Sequence, residues 1–334
     1  MALGLNTLST FKHALFGTLL SLSLGQFAQA AALQPLLVAN QKSAIKVLLE
    51  VSGELKNVPY EIKFSEFPSA SPLGEALNAG AVDVGGLGDA PYVFALGAGA
   101  SLKVVSITHT AGRYSTALLV NNNSPVKTVA DLKGKRIVTG RGSIGHYLAI
   151  RALRQAGLNT SDVSFIYLLP GESRILLDNG DADAWATWAP YTTIATLHDA
   201  RPIITGEQLL TNHFYLAATS KAIADKRVQL DDFVARVDRA YQWTNTHPDE
   251  YAAAQAKVTG LPIEVHLAIT RETRMERVDI DDGVVKGLQQ TADIYQQEGI
   301  LTRHIDVSQG FDASFNAVRA AAAAAAQTNT QAAR

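Results

Sequence analysis

Eight consecutive residues carry the arrangement in this chain most able to do chemistry: Gly140-Arg141-Gly142-Ser143-Ile144-Gly145-His146-Tyr147. Gly140, Gly142 and Gly145 spell G-x-G-x-x-G, a spacing that lets the backbone turn sharply and come close to an anionic ligand. Ser143 stands where it can cap a following helix. The free N–H groups of that first turn, with the helix dipole, favour negative charge. His146 falls in the same turn as a candidate donor. A second glycine-rich stretch, Gly85-Gly86-Leu87-Gly88-Asp89-Ala90-Pro91, repeats the device, with Asp89 as N-cap and Pro91 leading the helix. Trp185, Trp188 and Tyr191 gather where another strand runs into a helix, the place where α/β folds bind ligands.

Two anions compete for the Gly140 loop. A dinucleotide site needs an acid near the end of the next strand to hold the ribose hydroxyls. Here that strand ends Leu168-Leu169-Pro170, with Asp162 before it and Glu172 only after the Pro-Gly turn. A small anion asks for no such acid, so no nucleotide or other cofactor is expected. Catalytic patterns are poor. The chain has no cysteine, no H-E-x-x-H, no G-x-S-x-G, and its histidines are scattered (His109, His146, His198 and His213 among them). No metal site and no enzyme are expected.

The elements that must position these residues alternate. Short β-rich runs at 36–39, 60–64, 82–85 and 104–107 are interleaved with helical stretches at 43–52, 72–78 and 91–96. A second set follows Pro125, with strands at 136–139, 164–168, 182–186 and 203–204 and helices starting near Ser143, Glu172 and Pro190. This is an α/β pattern, expected to build mainly parallel sheets. The two sets resemble each other. Ala76 to Tyr92 and Leu176 to Tyr191 both read as a helix ending in Gly, a strand carrying Asp, and a new helix opened by Pro. Apolar strands at 115–120 and 214–218 separate the sets, as expected of a chain that crosses to a second lobe and returns. The remainder is helical, at 231–246, 249–258 and 281–297. Phe233, Val237, Ala240, Tyr241 and Thr244 recur there at the spacing of one buried face.

Composition sets the address. Lys12 and His13, the apolar run 14–25, and Ala28-Gln29-Ala30 read as a cleaved export signal, the run being too short to span a bilayer. Without cysteine the exported chain has neither a lipid-anchor site nor a disulfide and must rely on its core. Lys12 is the only Lys, Arg, Asp or Glu in the first thirty residues, so cleavage takes the net charge from −2 to −3. That near-balance, with no basic run, argues against nucleic acid or anionic lipid as a partner.

In order and spacing, several segments resemble the solute-binding proteins of ABC importers in the nitrate/sulfonate/bicarbonate group, nearest the aliphatic sulfonate-binding branch. They are Asn40-Gln41-Lys42, Phe67-Pro68-Ser69, Gly88-Asp89-Ala90-Pro91, Val129 to Lys135, Gly142-Ser143 with His146-Tyr147, and Asp183-Ala184-Trp185. The resemblance implies a type II periplasmic-binding-protein fold: two α/β lobes joined by two crossing segments, with the ligand cleft between them. Lobe 1 would be 31–117 with 216–319 and lobe 2 118–215, preceded by a signal at 1–30 and followed by an alanine-rich tail at 320–334. It implies ligand contacts at Gln41, Asp89, Ala90, Ser143, His146 and Trp188, close backbone approach at Gly88 and Gly142, and secondary roles for Trp185 and Tyr191. It also implies a periplasmic monomer that hands an aliphatic sulfonate to ABC permease subunits. Nitrate, bicarbonate, taurine or a thiamine-pyrimidine precursor are the alternative ligands, and an exported enzyme on the same fold is the alternative class. The family's Trp-Asp-Pro-Tyr and Asp-Ala-Pro-Pro become Trp188-Ala189-Pro190-Tyr191 and Asp89-Ala90-Pro91-Tyr92 here, changes that bear on the ligand's tail.

Overall fold

A computed structural model of the chain describes residues 33–41, 44–112, 115–321 and 324. The expected export signal, Lys42 of the Asn40-Gln41-Lys42 segment, and most of the alanine-rich tail lie outside these residues. The strands are β1 Leu36–Gln41, β2 Ile62–Phe67, β3 Val84–Gly88, β4 Leu102–Ala111, β5 Thr116–Asn121 and β6 Arg136–Thr139. They continue as β7 Ser164–Tyr167, β8 Ala184–Trp188, β9 Ala200–Thr205, β10 His213–Thr219 and β11 Arg274–Val278. The helices are α1 Ala44–Val51, α2 Ala70–Asn78, α3 Asp89–Gly97, α4 Ile144–Gln155, α5 Pro170–Asn179 and α6 Tyr191–Leu197. After them come α7 Ser220–Asp225, α8 Arg227–Thr244, α9 Pro248–Thr259, α10 Ile263–Thr270 and α11 Asp282–Gln297.

Two sheets form, a six-stranded one in the order β11-β4-β10-β3-β1-β2 and a five-stranded one in the order β7-β6-β8-β5-β9. The expectation of mainly parallel sheets needs correcting. The pairs β1–β2, β1–β3, β6–β7 and β6–β8 are parallel, but every pairing made by β5, β10 or β11 is antiparallel. The physical reason is the chain's route. β5 and β10 are the strands by which the chain enters the second sheet and re-enters the first, so each arrives against the direction set by the βαβ units beside it. β11 and the helix α10 were not anticipated from sequence.

Local chemistry explains why the elements stop and start where they do. α5 opens with Pro170 and ends at Gly180, which takes the left-handed conformation (φ +77°). On α8 all five residues of the expected face are buried, against β-strands of the first sheet. The likeness between the two halves has a physical counterpart in two aspartates. The Leu37 N–H donates to Asp83 Oδ2 at 2.7 Å while the Asp83 N–H donates to the Leu37 carbonyl at 2.8 Å. In the second sheet the Arg136 N–H donates to Asp183 Oδ2 at 2.8 Å while the Asp183 N–H donates to the Arg136 carbonyl at 2.9 Å. Each carboxylate thus pins the start of one central strand to its parallel neighbour. The likeness stops at the following helix: Pro91 lies inside the first turn of α3, whereas Pro190 precedes α6 and follows a cis peptide bond.

Candidate functional site

Residues from both sheets line one cleft of about 720 Å³, a size typical of small-molecule sites. Four helix N-termini reach it. Ser69 and Ala70 come from the start of α2, Gly88 from that of α3, Ser143 from that of α4, and Leu169 from that of α5. The first N–H groups of a helix lack intrahelical acceptors, so the convergence of four such ends makes the cleft favourable to an anion. Gln41, at the end of β1, adds an amide.

The Gly140 loop forms one wall. Thr139, the last residue of β6, donates its hydroxyl to the Ala186 carbonyl at 2.9 Å, anchoring the loop to β8. Gly142 is left-handed (φ +68°), which turns the chain into α4. The third glycine is needed for packing, since a Cβ on Gly145 would meet the Ala186 carbonyl oxygen at 2.5 Å. Ser143 caps α4 by accepting from the His146 N–H at 3.2 Å, and its hydroxyl proton has the Thr139 oxygen, 3.4 Å away, as a long-range acceptor from which it can turn to a ligand. The N–H groups of Ile144 and Gly145 have no intrahelical acceptor.

His146 lies elsewhere than the sequence suggests. It is buried behind the loop and does not line the cleft. Its Nδ1 accepts from the Gly142 N–H at 3.3 Å, so the ring proton sits on Nε2, 3.2 Å from the Tyr167 hydroxyl. Rings of Phe165, Tyr167 and Tyr295 surround it. Burial, with the charge of Arg141 adding to it, pushes the imidazole pKa down to about 4, so at neutral pH the ring carries no charge toward an anion. It braces the loop by taking up the Gly142 N–H.

Asp89 and Ala90 are likewise buried behind the lining. Thr211 donates to Asp89 Oδ2, while Asp89 Oδ1 is buried without a hydrogen-bond partner. Burial raises this carboxyl to about 6, against the pull of Thr211, Tyr215, His109 and the His213 backbone. Trp188 lines the cleft, but Trp185 does not. Side chains alternate along a strand, so residues three apart on β8 face opposite ways. Trp185 is buried in a cluster with Val138 and Leu177. Tyr191 packs against both tryptophans, at ring distances of 6.3 and 6.2 Å, and stands outside the lining. Of the ten residues singled out from sequence, Gln41, Gly88, Gly142, Ser143 and Trp188 line the cleft.

The structure adds residues that the sequence reading missed. Ser69 is buried, lines the cleft, and as N-cap of α2 makes no side-chain capping bond. Ser115, Thr116 and Asn212 come from the two crossings between sheets. The Thr110 N–H donates to the Asn212 carbonyl at 3.0 Å, and the Ser115 hydroxyl donates to Asn212 Oδ1 at 3.4 Å, so the crossings are stitched together at the cleft. Asn212 is left-handed (φ 52°), a conformation Asn tolerates better than most residues. An Asn next to a re-entering strand was the available signal. Among the described lining residues Arg141 is the one Lys or Arg, exposed, with its guanidinium 5.7 Å from the Tyr167 ring centre. Exposed Glu75 and Glu172 face the cleft from its two walls. His213 also lines it, and burial, helped by His109, lowers its pKa to about 4. Among the described residues no three His, Asp or Glu side chains stand close enough to hold a metal ion, and no helix is long and apolar enough to cross a membrane.

Residues 61–251 match the family model described as NMT1/THI5 like. An Escherichia coli (strain K12) protein named for aliphatic sulfonate binding is 36% identical over 299 residues, covering 86% of this chain and 92% of that one. The crystal structure of the periplasmic aliphatic sulphonate binding protein SsuA from Escherichia coli aligns with a TM-score of 0.73 at 32% identity, over 83% of this chain and 92% of that one. The alkanesulfonate-binding protein SsuA from Xanthomonas axonopodis pv. citri, bound to MOPS, aligns with a TM-score of 0.77 at 29% identity, over 83% of this chain and 98% of that one.

Proposed function

The chain belongs to the NMT1/THI5-like family, on its aliphatic sulfonate-binding side, and from that premise we propose that it captures an organic sulfonate in the periplasm and delivers it to an ABC permease. The observation that carries the reading is the meeting of four helix N-termini with neutral donors (Ser69, Ser143, Thr116 and Gln41) in one cleft. A sulfonate has three oxygens sharing one negative charge and no proton to give at neutral pH. It is met by donors from several directions and needs no acceptor. Both walls contribute, so a ligand touching both favours the closed arrangement by the difference in its affinity for the closed and open forms. No bond is made or broken in this reading.

Because the crossings themselves line the cleft, at Ser115, Thr116 and Asn212, the ligand also touches the segments about which the lobes would move. The permease would then recognise the closed pair of lobes. Titration calorimetry against ethanesulfonate, taurine, nitrate and bicarbonate tests the reading. Heat with ethanesulfonate and none with nitrate or bicarbonate is expected. Binding of nitrate or bicarbonate with no sulfonate heat would overturn it.

A further inference from the structure

We infer that the sulfonate taken by this chain carries an aromatic ring close to the sulfur, with Phe94 and Trp188 as the residues that select it; the inference rests on the sulfonate reading above. The evidence is how the two rings stand about the anion loop. A Cβ on Gly140 would lie 3.8 Å from Trp188 Cη2, and one on Gly142 would lie 2.8 Å from Phe94 Cδ2. Trp188 therefore flanks the start of the loop and Phe94 its third residue, from the opposite wall. A head group held at Ser143 has aromatic carbon on both sides of the loop that holds it. Whatever is bonded to the sulfur meets these rings first.

Beyond the loop one strip of the cleft extends that apolar surface, while Glu75 and Glu172 stand at its walls. It follows α3 from Gly88 to Ala98, about 15 Å at the rise of a helix. Phe94, Ala95 and Ala98 line it on that side, with Leu168 and Leu169 opposite. Two large apolar residues at this wall stay open to solvent, Tyr167 at 41% and Leu169 at 49% exposure. A short alkyl tail would leave Leu169 uncovered and much of the 720 Å³ filled with water. Flat rings fit between aromatic side chains in offset or edge-to-face contact, with a gain beyond the area they bury. A flexible alkyl chain of equal area loses rotamer freedom on binding.

Calorimetry of the purified protein with ethanesulfonate, octanesulfonate and naphthalene-2-sulfonate decides the matter. Naphthalene-2-sulfonate should bind at least about tenfold tighter than ethanesulfonate, and tighter than octanesulfonate. Phe94→Leu should lower the naphthalene-to-ethane affinity ratio by about tenfold, and Trp188→Leu should do the same. Equal affinities across the three, or octanesulfonate ahead of naphthalene-2-sulfonate, would overturn the aromatic assignment while leaving the sulfonate reading in place. A ratio unchanged in both variants would overturn the role given to these two residues. Failure of all three to bind would instead overturn the sulfonate reading, and this inference with it.

Discussion

The Gly142 N–H donates to His146 Nδ1 across 3.3 Å, which ties the left-handed residue of the anion loop to a buried, neutral imidazole. The bond requires an unprotonated Nδ1, so it links loop geometry to pH. The folded pKa of His146 is depressed to about 4 from an ordinary value of 6.5. Between those values the unfolded chain binds more protons than the folded one, so stability falls as pH drops from about 6.5 to about 4. His146→Gln removes this titration. Urea midpoints measured at pH 7, 5.5 and 4.5 should decline less steeply in the variant than in the unmodified protein. Parallel declines would place the acid sensitivity elsewhere, His213 being the next group to examine.

Asp89 has the opposite sign. Its folded pKa is raised to about 6 by burial, from 3.8, so the folded chain holds the proton more tightly. Stability contributed by the protonated form is present at low pH and lost as pH rises from about 3.8 to about 6. Asp89→Asn keeps an acceptor for Thr211 and removes the buried charge. The variant should be more resistant to urea than the unmodified protein at pH 8, and the advantage should shrink toward pH 4. An equal effect at both pH values would mean that the charge is not the cause.

Gly142→Ala meets two obstacles, a positive φ and the Phe94 ring 2.8 Å from the new methyl group. The first costs about 1–2 kcal/mol in a residue with a Cβ. The second acts only where the two walls touch, so ligand affinity should suffer more than stability does. Adding Phe94→Ala removes the clash and leaves the backbone strain. A double-mutant cycle on ligand affinity should therefore show coupling between the two positions. Strict additivity would refute the contact.

Ser143→Ala deletes the cap of α4 and a hydroxyl facing the cleft. Loss of the cap costs about 1 kcal/mol of stability. Loss of a hydrogen bond to a charged ligand costs about 1.5–3 kcal/mol of affinity. Ser143→Gly, which is tolerated at N-caps within a few tenths of a kcal/mol, separates the two effects. Both variants should show the same affinity loss in calorimetry, with stability reduced chiefly in the alanine. An affinity loss confined to the alanine would show that the hydroxyl acts through the helix alone.

Features set by neighbours in the chain were the legible ones. The Ser143 cap, the turn at Gly142, the Pro170 start and Gly180 end of α5, and the buried face of α8 all involve residues a few positions apart. The likeness of the segments carrying Asp83 and Asp183 is legible too, but their partners Leu37 and Arg136 stand more than forty positions away, so the bonds themselves are set by strand pairing. Ser69 stands in the Phe67-Pro68-Ser69 segment, yet its place in the cleft depends on how α2 lies over the first sheet. Trp185 and Trp188 look alike on a line of letters; strand alternation sends one inward and the other to the ligand cleft.

The sequence alone determined that the chain builds glycine-rich, helix-capping loops suited to an anion, because capping and turn geometry are decided within one turn of backbone. Which groups face that anion was decided by tertiary structure. His146 is turned inward by an aromatic surround drawn from Phe165, Tyr167 and Tyr295, and Asp89 is held away by Thr211. Asn212 arrives with the returning crossing, and Phe94 reaches Gly142 from the other wall. These pairings depend on how the two sheets pack and cross, and burial then sets which of the residues keep their charge.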